Sequence, residues 1–192
     1  NYEVSISVNQ APHFLRISET VLQGKIAEEI WLTSYLCHPS MVNNELTGPI
    51  ALANLYDQMK SLDLNYTYRF LLWPETIGSI AYLQMKRLQK LPNVRAALTL
   101  SCLGLRSDYS IVTSPNDYFD YSGDLSSYFR GLGKVANVMP YSERGSDERQ
   151  LNFPANNIVA LTVSRGRFGA YPEYHSSFDD KDLVEPGVLA ET

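Results

Sequence analysis

Residues 28–37, Glu-Glu-Ile-Trp-Leu-Thr-Ser-Tyr-Leu-Cys, decide the fold. After an acidic start the run is rich in β-formers and almost continuously apolar, the pattern of a strand covered on both faces, as in a parallel sheet packed between helices. His38-Pro39-Ser40 stops it. Downstream, Leu46, Ile50, Ala53, Leu55 and Met59 recur at roughly helical spacing, with Thr47 placed as N-cap and Pro49 in the first turn, which predicts a helix over 48–61. Residues 66–73 (YTYRFLLW), closed by Pro74, read as a second buried strand, and Ile77, Ile80, Leu83 and Leu88 mark a second helix ending near Leu91-Pro92. Strands over 94–103, 110–113 and 157–163 and helices over 122–132 and 183–191 complete the pass. Upstream, Tyr2, Val4, Ile6 and Val8 alternate with polar residues, and Phe14, Arg16 and Ser18 follow Pro12, which predicts antiparallel strands at a sheet edge. Strands alternating with helices of this length imply right-handed crossovers. The expected fold class is α/β, a three-layer, mostly parallel mixed sheet with helices on both faces, in one domain over residues 1–192.

Composition narrows the function. The chain has a net charge of −5, and its Lys and Arg residues occur singly or in short runs such as Lys86-Arg87, so no basic face can track phosphates and no nucleic-acid partner is expected. The longest nearly apolar run, 96–105, is broken by Thr99, Ser101 and Cys102 and is far short of the roughly 20 residues a membrane span needs. The two cysteines, Cys37 and Cys102, sit in apolar strand-like segments and read as reduced, buried side chains, which favours a cytoplasmic setting. A start at Asn1 inside a strand-like pattern reads as that of a piece excised from a longer chain, from which an inserted or appended domain is missing.

In such sheets ligands gather at the carboxyl ends of strands, so the residues just after Cys37, Trp73 and Val163 matter most. Two of the three histidines and a carboxylate fall there: His38, Glu75 and, after a loop, His175. Two histidines and a carboxylate are what a catalytic zinc uses when it keeps a fourth position for water. Each residue also has a plainer reading. His38 can end a strand by bonding a carbonyl, Glu75 can favour a helix N-terminus, and His175 can be an exposed turn residue. Asp147, Glu148 and Arg149 form a charged cluster after Gly145-Ser146 and offer either a functional acid/base and anion contact or a structural ion pair. Asp179, Asp180 and Asp182 read as a solvated helix start.

Several motifs in order carry a resemblance. They are Cys37-His38-Pro39-Ser40 through Asn43-Asn44-Glu45-Leu46-Thr47-Gly48, Pro74-Glu75-Thr76-Ile77-Gly78-Ser79, Gly145-Ser146-Asp147-Glu148-Arg149-Gln150 and Pro172-Glu173-Tyr174-His175-Ser176-Ser177. With Tyr66 to Phe70 between them, they resemble an aminopeptidase-like family related to the co-catalytic zinc exopeptidases, the group of bacterial leucyl aminopeptidase and glutamate carboxypeptidase. The resemblance implies a phosphorylase/hydrolase-type zinc-exopeptidase fold and a metal-dependent amidohydrolase acting on a small peptide-like or acylamino substrate. It implies metal-ligand positions at His38, Asn44, Glu75 and His175, one metal being held by His38, His175 and either Asn44 or Glu75. It implies Glu75 as catalytic base or, where Glu75 binds the metal, Glu148 or Asp147 in that role. Beside it, the charged cluster offers Arg149 and the late motif Tyr174 as substrate contacts. The sequence departs from the family pattern in three places. Asn44 stands where an aspartate bridges two metals, the usual glutamate pair is reduced to Pro74-Glu75, and the third strand exits as Ser101-Cys102-Leu103-Gly104 with no aspartate before Asp108. One zinc ion is therefore expected rather than two, and the alternative function is an impaired aminopeptidase-like domain that binds a ligand or protein.

Overall fold

The computed structural model describes residues 2–8, 14–88 and 92–191. Seven strands form one sheet in the order β1-β3-β2-β4-β7-β5-β6. These are β1 (Ser18–Leu22), β2 (Glu29–Tyr35), β3 (Thr67–Trp73), β4 (Val94–Leu100), β5 (Tyr109–Val112), β6 (Ala136–Met139) and β7 (Ala160–Arg165). The central strands β3, β2, β4 and β7 run parallel, and the peripheral pairs β1/β3 and β5/β7 are antiparallel. The predicted α/β class with a mixed, mostly parallel sheet is therefore what the chain adopts.

Period-2 alternation sends the side chains of one strand into two cores. Trp31 and Tyr35 of β2 join Leu71, Trp73, Tyr82 and Leu151 beneath α2 (Ile77–Leu88) and the single turn α4 (Glu148–Leu151). Leu32 points the other way, to join Ala51, Leu52, Phe70, Tyr109 and Ile111 under α1 (Thr47–Met59), with α3 (Tyr121–Gly131) and α5 (Pro186–Ala190) on the same face. Between these layers every residue of β7 is buried, as a central parallel strand requires. Among the described residues no helix is long and apolar enough to cross a membrane.

Several expectations are corrected. Residues 2–8 form no regular element and their apolar side chains lie in solvent, Tyr2 fully exposed and Ile6 80% exposed, because alternation specifies a strand only where one face meets a core. The edge strand is β1, eleven residues further on than Val8 at its second position, Glu19, and Pro12 lies outside the described residues. Leu91, where α2 was expected to end, also lies outside them. Thr47 does not cap α1. It is the first helical residue, and its hydroxyl donates to Asn43 O at 2.6 Å while accepting from Leu103 N–H at 2.8 Å. β6 was missed because its four residues carry no buried stripe.

The start of α1 is pressed onto the sheet. A side chain at Gly48 would place its first carbon 2.4 Å from Leu100 O, so only glycine lets the Asn43–Thr47 turn lie against the carboxyl end of β4. That close approach sets Asn44 and Glu45 beside the strand exits.

Candidate metal and catalytic site

His38 follows the end of β2 and Glu75 the end of β3, so parallel pairing of these strands delivers both to the same edge. His38 Nε2 lies 3.6 Å from Glu75 Oε2. His175 arrives from the loop after β7, with its ring centroid 5.3 Å from that of His38. Tyr174 stacks flat on His175 at 4.0 Å. The structure thus brings together His38, Glu75, His175 and Tyr174, all predicted from strand exits or motif.

The other edge of His38 is clamped by Glu45, whose Oε2 lies 2.9 Å from Nδ1. Glu45 is buried and was not predicted, although it lies inside the Asn44-Glu45-Leu46 motif. When Nδ1 donates to Glu45, Nε2 is left to face outward as the ligating nitrogen, the usual orientation device for a metal-binding histidine. That places two acceptors, Nε2 and Glu75 Oε2, face to face, an arrangement that a cation or a proton between them relieves. Partial burial, followed by the nearby His38, holds the His175 imidazole below its ordinary pKa, with Asp179 opposing, and so favours the neutral form that can ligate.

Glu75 has two differently employed oxygens. Oε1 accepts from Ser146 Oγ at 2.7 Å and Oε2 faces His38. Burial lifts its carboxyl above the usual range, Asp147 and Glu148 add to the lift, and the Ser146 hydroxyl and His38 pull it back. A carboxylate raised in this way is better matched to taking a proton near neutral pH.

Asp147 and Glu148 sit next to this group but their oxygens are already engaged. Asp147 is fully buried: Oδ2 accepts from Trp73 Nε1 at 2.7 Å, and Oδ1 from Thr76 N–H at 2.8 Å and Ser79 Oγ at 2.6 Å. Glu148, equally buried, accepts from Gly145 N–H at 2.7 Å, Ser146 N–H at 3.0 Å and Thr162 Oγ1 at 2.9 Å. Their geometry is that of a frame. Asp147 holds the Glu75–Ser79 turn, and Glu148 folds the loop that presents Ser146 to Glu75. Arg149 is exposed and lies on a separate groove with Ile80, Leu83, Arg87 and Phe153, away from the group around His38.

Asn44 is 2% exposed. Its Nδ2 donates to Tyr35 OH at 3.2 Å and Cys102 Sγ at 3.4 Å, while Oδ1 has no protein partner. A buried acceptor without a partner costs on the order of 1–3 kcal/mol, which a bound cation would recover. Asp179 is buried too, contrary to its reading as part of a solvated helix start. Its carboxylate accepts from the backbone N–H groups of Val42, Asn43 and Asn44 at 3.1, 2.6 and 3.1 Å and so fixes the loop that carries Asn44. Cys37 is likewise corrected, being exposed where burial was expected, whereas Cys102 is buried as read.

Strain gathers here. Thr76, Cys102, His175 and Ser40 all hold φ between 52° and 66°, a region costly for side chains with a Cβ and most of all for the β-branched Thr76. Such residues persist where the surroundings over-determine them and cluster at functional sites.

The donor types suit a single cation. Imidazoles at His38 and His175, the orphaned Asn44 Oδ1 and the Glu75 carboxylate are zinc-ligand types, but the ligand atoms of His38, Glu75 and His175 do not all lie within 4.8 Å of one another and would have to close on the ion. A second cation does not fit, because Asp147 and Glu148 are engaged and β4 exits through Ser101 and Cys102 without a carboxylate.

Comparison with known proteins places the family and agrees with the fold. The family model described as "Domain of unknown function (DUF4910)" matches residues 7–192. A Clostridium acetobutylicum protein, provisionally assigned to polysaccharide biosynthesis and named for an aminopeptidase-like domain, is 32% identical over 195 residues; the match takes in all of this chain and 44% of that protein. The chain therefore spans less than half the length of the curated relative it matches. Among solved structures, a provisionally assigned peptidase from Clostridium acetobutylicum superposes with a TM-score of 0.85 at 30% identity, over 91% of this chain and 41% of that one. A zinc aminopeptidase from Bacillus subtilis gives a TM-score of 0.72 at 16% identity, over 90% of this chain and 46% of that one, which is a likeness of fold. From its motifs, its sheet and a family model that covers almost its whole length, the chain belongs to the DUF4910 family and is an aminopeptidase-like domain.

Proposed function

We propose that this domain is a zinc-dependent hydrolase of the aminopeptidase type that uses one metal ion to cleave an amide bond in a small peptide-like or acylamino substrate. The observation that carries the reading is the convergence of His38, Glu75 and His175 at one sheet edge, with the free Nε2 of His38 set by Glu45. His38, His175 and Asn44 Oδ1 would hold the ion. Zinc, when bound, polarises a carbonyl and makes water a stronger nucleophile near neutral pH. Glu75 takes the proton from the attacking water at Oε2 and returns it to the departing amine, while Ser146 keeps Oε1 fixed. Asp147 and Glu148 position that glutamate and its serine, and Tyr174 orients His175. Arg149 has no part in this reading, because it faces another groove. The test is a screen of aminoacyl and acylamino substrates with wild type and His38→Ala. Hydrolysis by the wild type that falls at least about 100-fold in the variant, with the fold intact, is the expected result. Equal hydrolysis by both would overturn the reading.

The second reading, a domain that binds without catalysing, is favoured by Asn44, since a neutral amide is a weaker metal ligand than a carboxylate. Asn44→Asp separates the two. It puts a charge where Oδ1 has no partner, so the metal-free variant should lose about 3 kcal/mol, or roughly 6–12 °C in Tm, and zinc should restore that loss and raise turnover. A variant destabilised to the same extent with and without zinc would favour the binding reading.

A further inference from the structure

Glu75 faces the Nε2 edge of His38, yet the tightest metal-capable group lies on the opposite edge. Among the described residues, Cys37, His38 and Glu45 are the three whose ligand atoms all lie within 4.8 Å of one another. Cys37 Sγ is 3.5 Å from His38 Nδ1, and Glu45 Oε2 is 2.9 Å from the same nitrogen. Around tetrahedral zinc, bonds of about 2.3 Å to sulfur and about 2.0–2.1 Å to nitrogen place the two ligand atoms about 3.5 Å apart. The sulfur and nitrogen already have that separation, and the carboxylate oxygen need retreat by only a few tenths of an ångström. The sulfur is held from behind, because it accepts the Glu75 N–H at 3.2 Å, a bond that favours the thiolate.

We propose that Cys37, His38 and Glu45 form a cation site of their own, on the Nδ1 edge of His38, for a thiophilic divalent ion of the zinc, cobalt or cadmium kind. A thiolate, a carboxylate and a neutral imidazole carry two negative charges, which match such an ion. Cys37 is exposed, and the three residues line an open recess of about 440 Å³ together with the thioether residue Met41, so an ion can enter from solvent. On binding, the thiol proton leaves to solvent and the imidazole proton moves from Nδ1 to Nε2. A neutral imidazole has one lone pair, so an ion on the Nδ1 edge removes Nε2 as a ligand. The two edges of His38 are therefore mutually exclusive sites, and thiophilic ions should compete with the metal of the proposed hydrolase.

The test is a cobalt(II) titration of His175→Ala, which lacks the competing Nε2-edge site, read by thiolate-to-cobalt charge-transfer absorption in the near ultraviolet. The expected result is a charge-transfer band in His175→Ala that is lost in His175→Ala/Cys37→Ser, with cobalt affinity falling at least about tenfold. Cobalt bound by His175→Ala without that band, no cobalt bound by it at all, or a band that survives Cys37→Ser and so arises from Cys102, would overturn the site. None of these outcomes bears on the hydrolase reading, which is tested with His175 in place.

Discussion

Replacing Glu75 with Gln is expected to lower turnover of any hydrolysed substrate by about 10²–10⁴-fold while leaving the fold and the bound metal in place. Gln keeps the shape of Glu and can still accept from Ser146 Oγ through its carbonyl, but it has no site for the proton that an attacking water must lose. The same swap removes a negative charge from beside Asp147 and Glu148, both of which push the Glu75 pKa upward, so Tm should hold or rise slightly. Activity lost together with several degrees of Tm would show that Glu75 is a structural group. Activity retained would move the base elsewhere, and neither Asp147 nor Glu148 has a free oxygen to take that role.

The largest expected effect on stability belongs to Asp147. Asp147→Ala leaves Trp73 Nε1 and the Thr76 N–H without their acceptor at a fully buried position, and leaves the Ser79 hydroxyl only its 3.0 Å bond to Thr76 O. Burial pushes the Asp147 pKa up, so the ionised carboxylate is costly in itself, and the three donors offset that cost. Losing the acceptor should destabilise the fold by about 3–5 kcal/mol, or roughly 6–20 °C in Tm. Ser79→Ala, which removes one donor, should cost about 1 kcal/mol. Thermal unfolding of the two variants checks both values, and a loss below about 1 kcal/mol for Asp147→Ala would contradict the role assigned to this carboxylate as the frame of the Glu75–Ser79 turn.

The parts of this molecule that could be read from sequence are those where one local signal suffices. β2, β3 and β4 announce themselves as continuous apolar runs, α1 and α2 as helical stripes, and the rule that ligands sit at strand exits leads from them to His38 and Glu75. What could not be read depends on chain segments meeting across long intervals. Asp179 stands in an acidic stretch that looks solvated, yet its carboxylate collects three backbone N–H groups lying 135 to 137 residues earlier. Glu45 becomes a partner of His38 only because the intervening turn, with Ser40 at positive φ, folds back on itself, and no periodicity reports that. The triplet Asp147-Glu148-Arg149 misled in another way. Charge next to glycine suggested chemistry, whereas two of the three residues are buried hydrogen-bond acceptors and the third faces outward. Asn44, by contrast, was marked by its departure from the family motif, and the structure gives that departure a physical form in an unpartnered buried oxygen.

The most direct test of the central claim is the metal content of the chain, measured by mass spectrometry on protein purified without chelator or affinity nickel, with Cys37→Ser and His175→Ala/Cys37→Ser alongside so that the Nδ1-edge site cannot hold the ion. One zinc per chain in the wild type and in Cys37→Ser, lost or much reduced in the double variant, is the predicted result. No zinc in the wild type, and none taken up when it is added, would contradict a one-metal hydrolase.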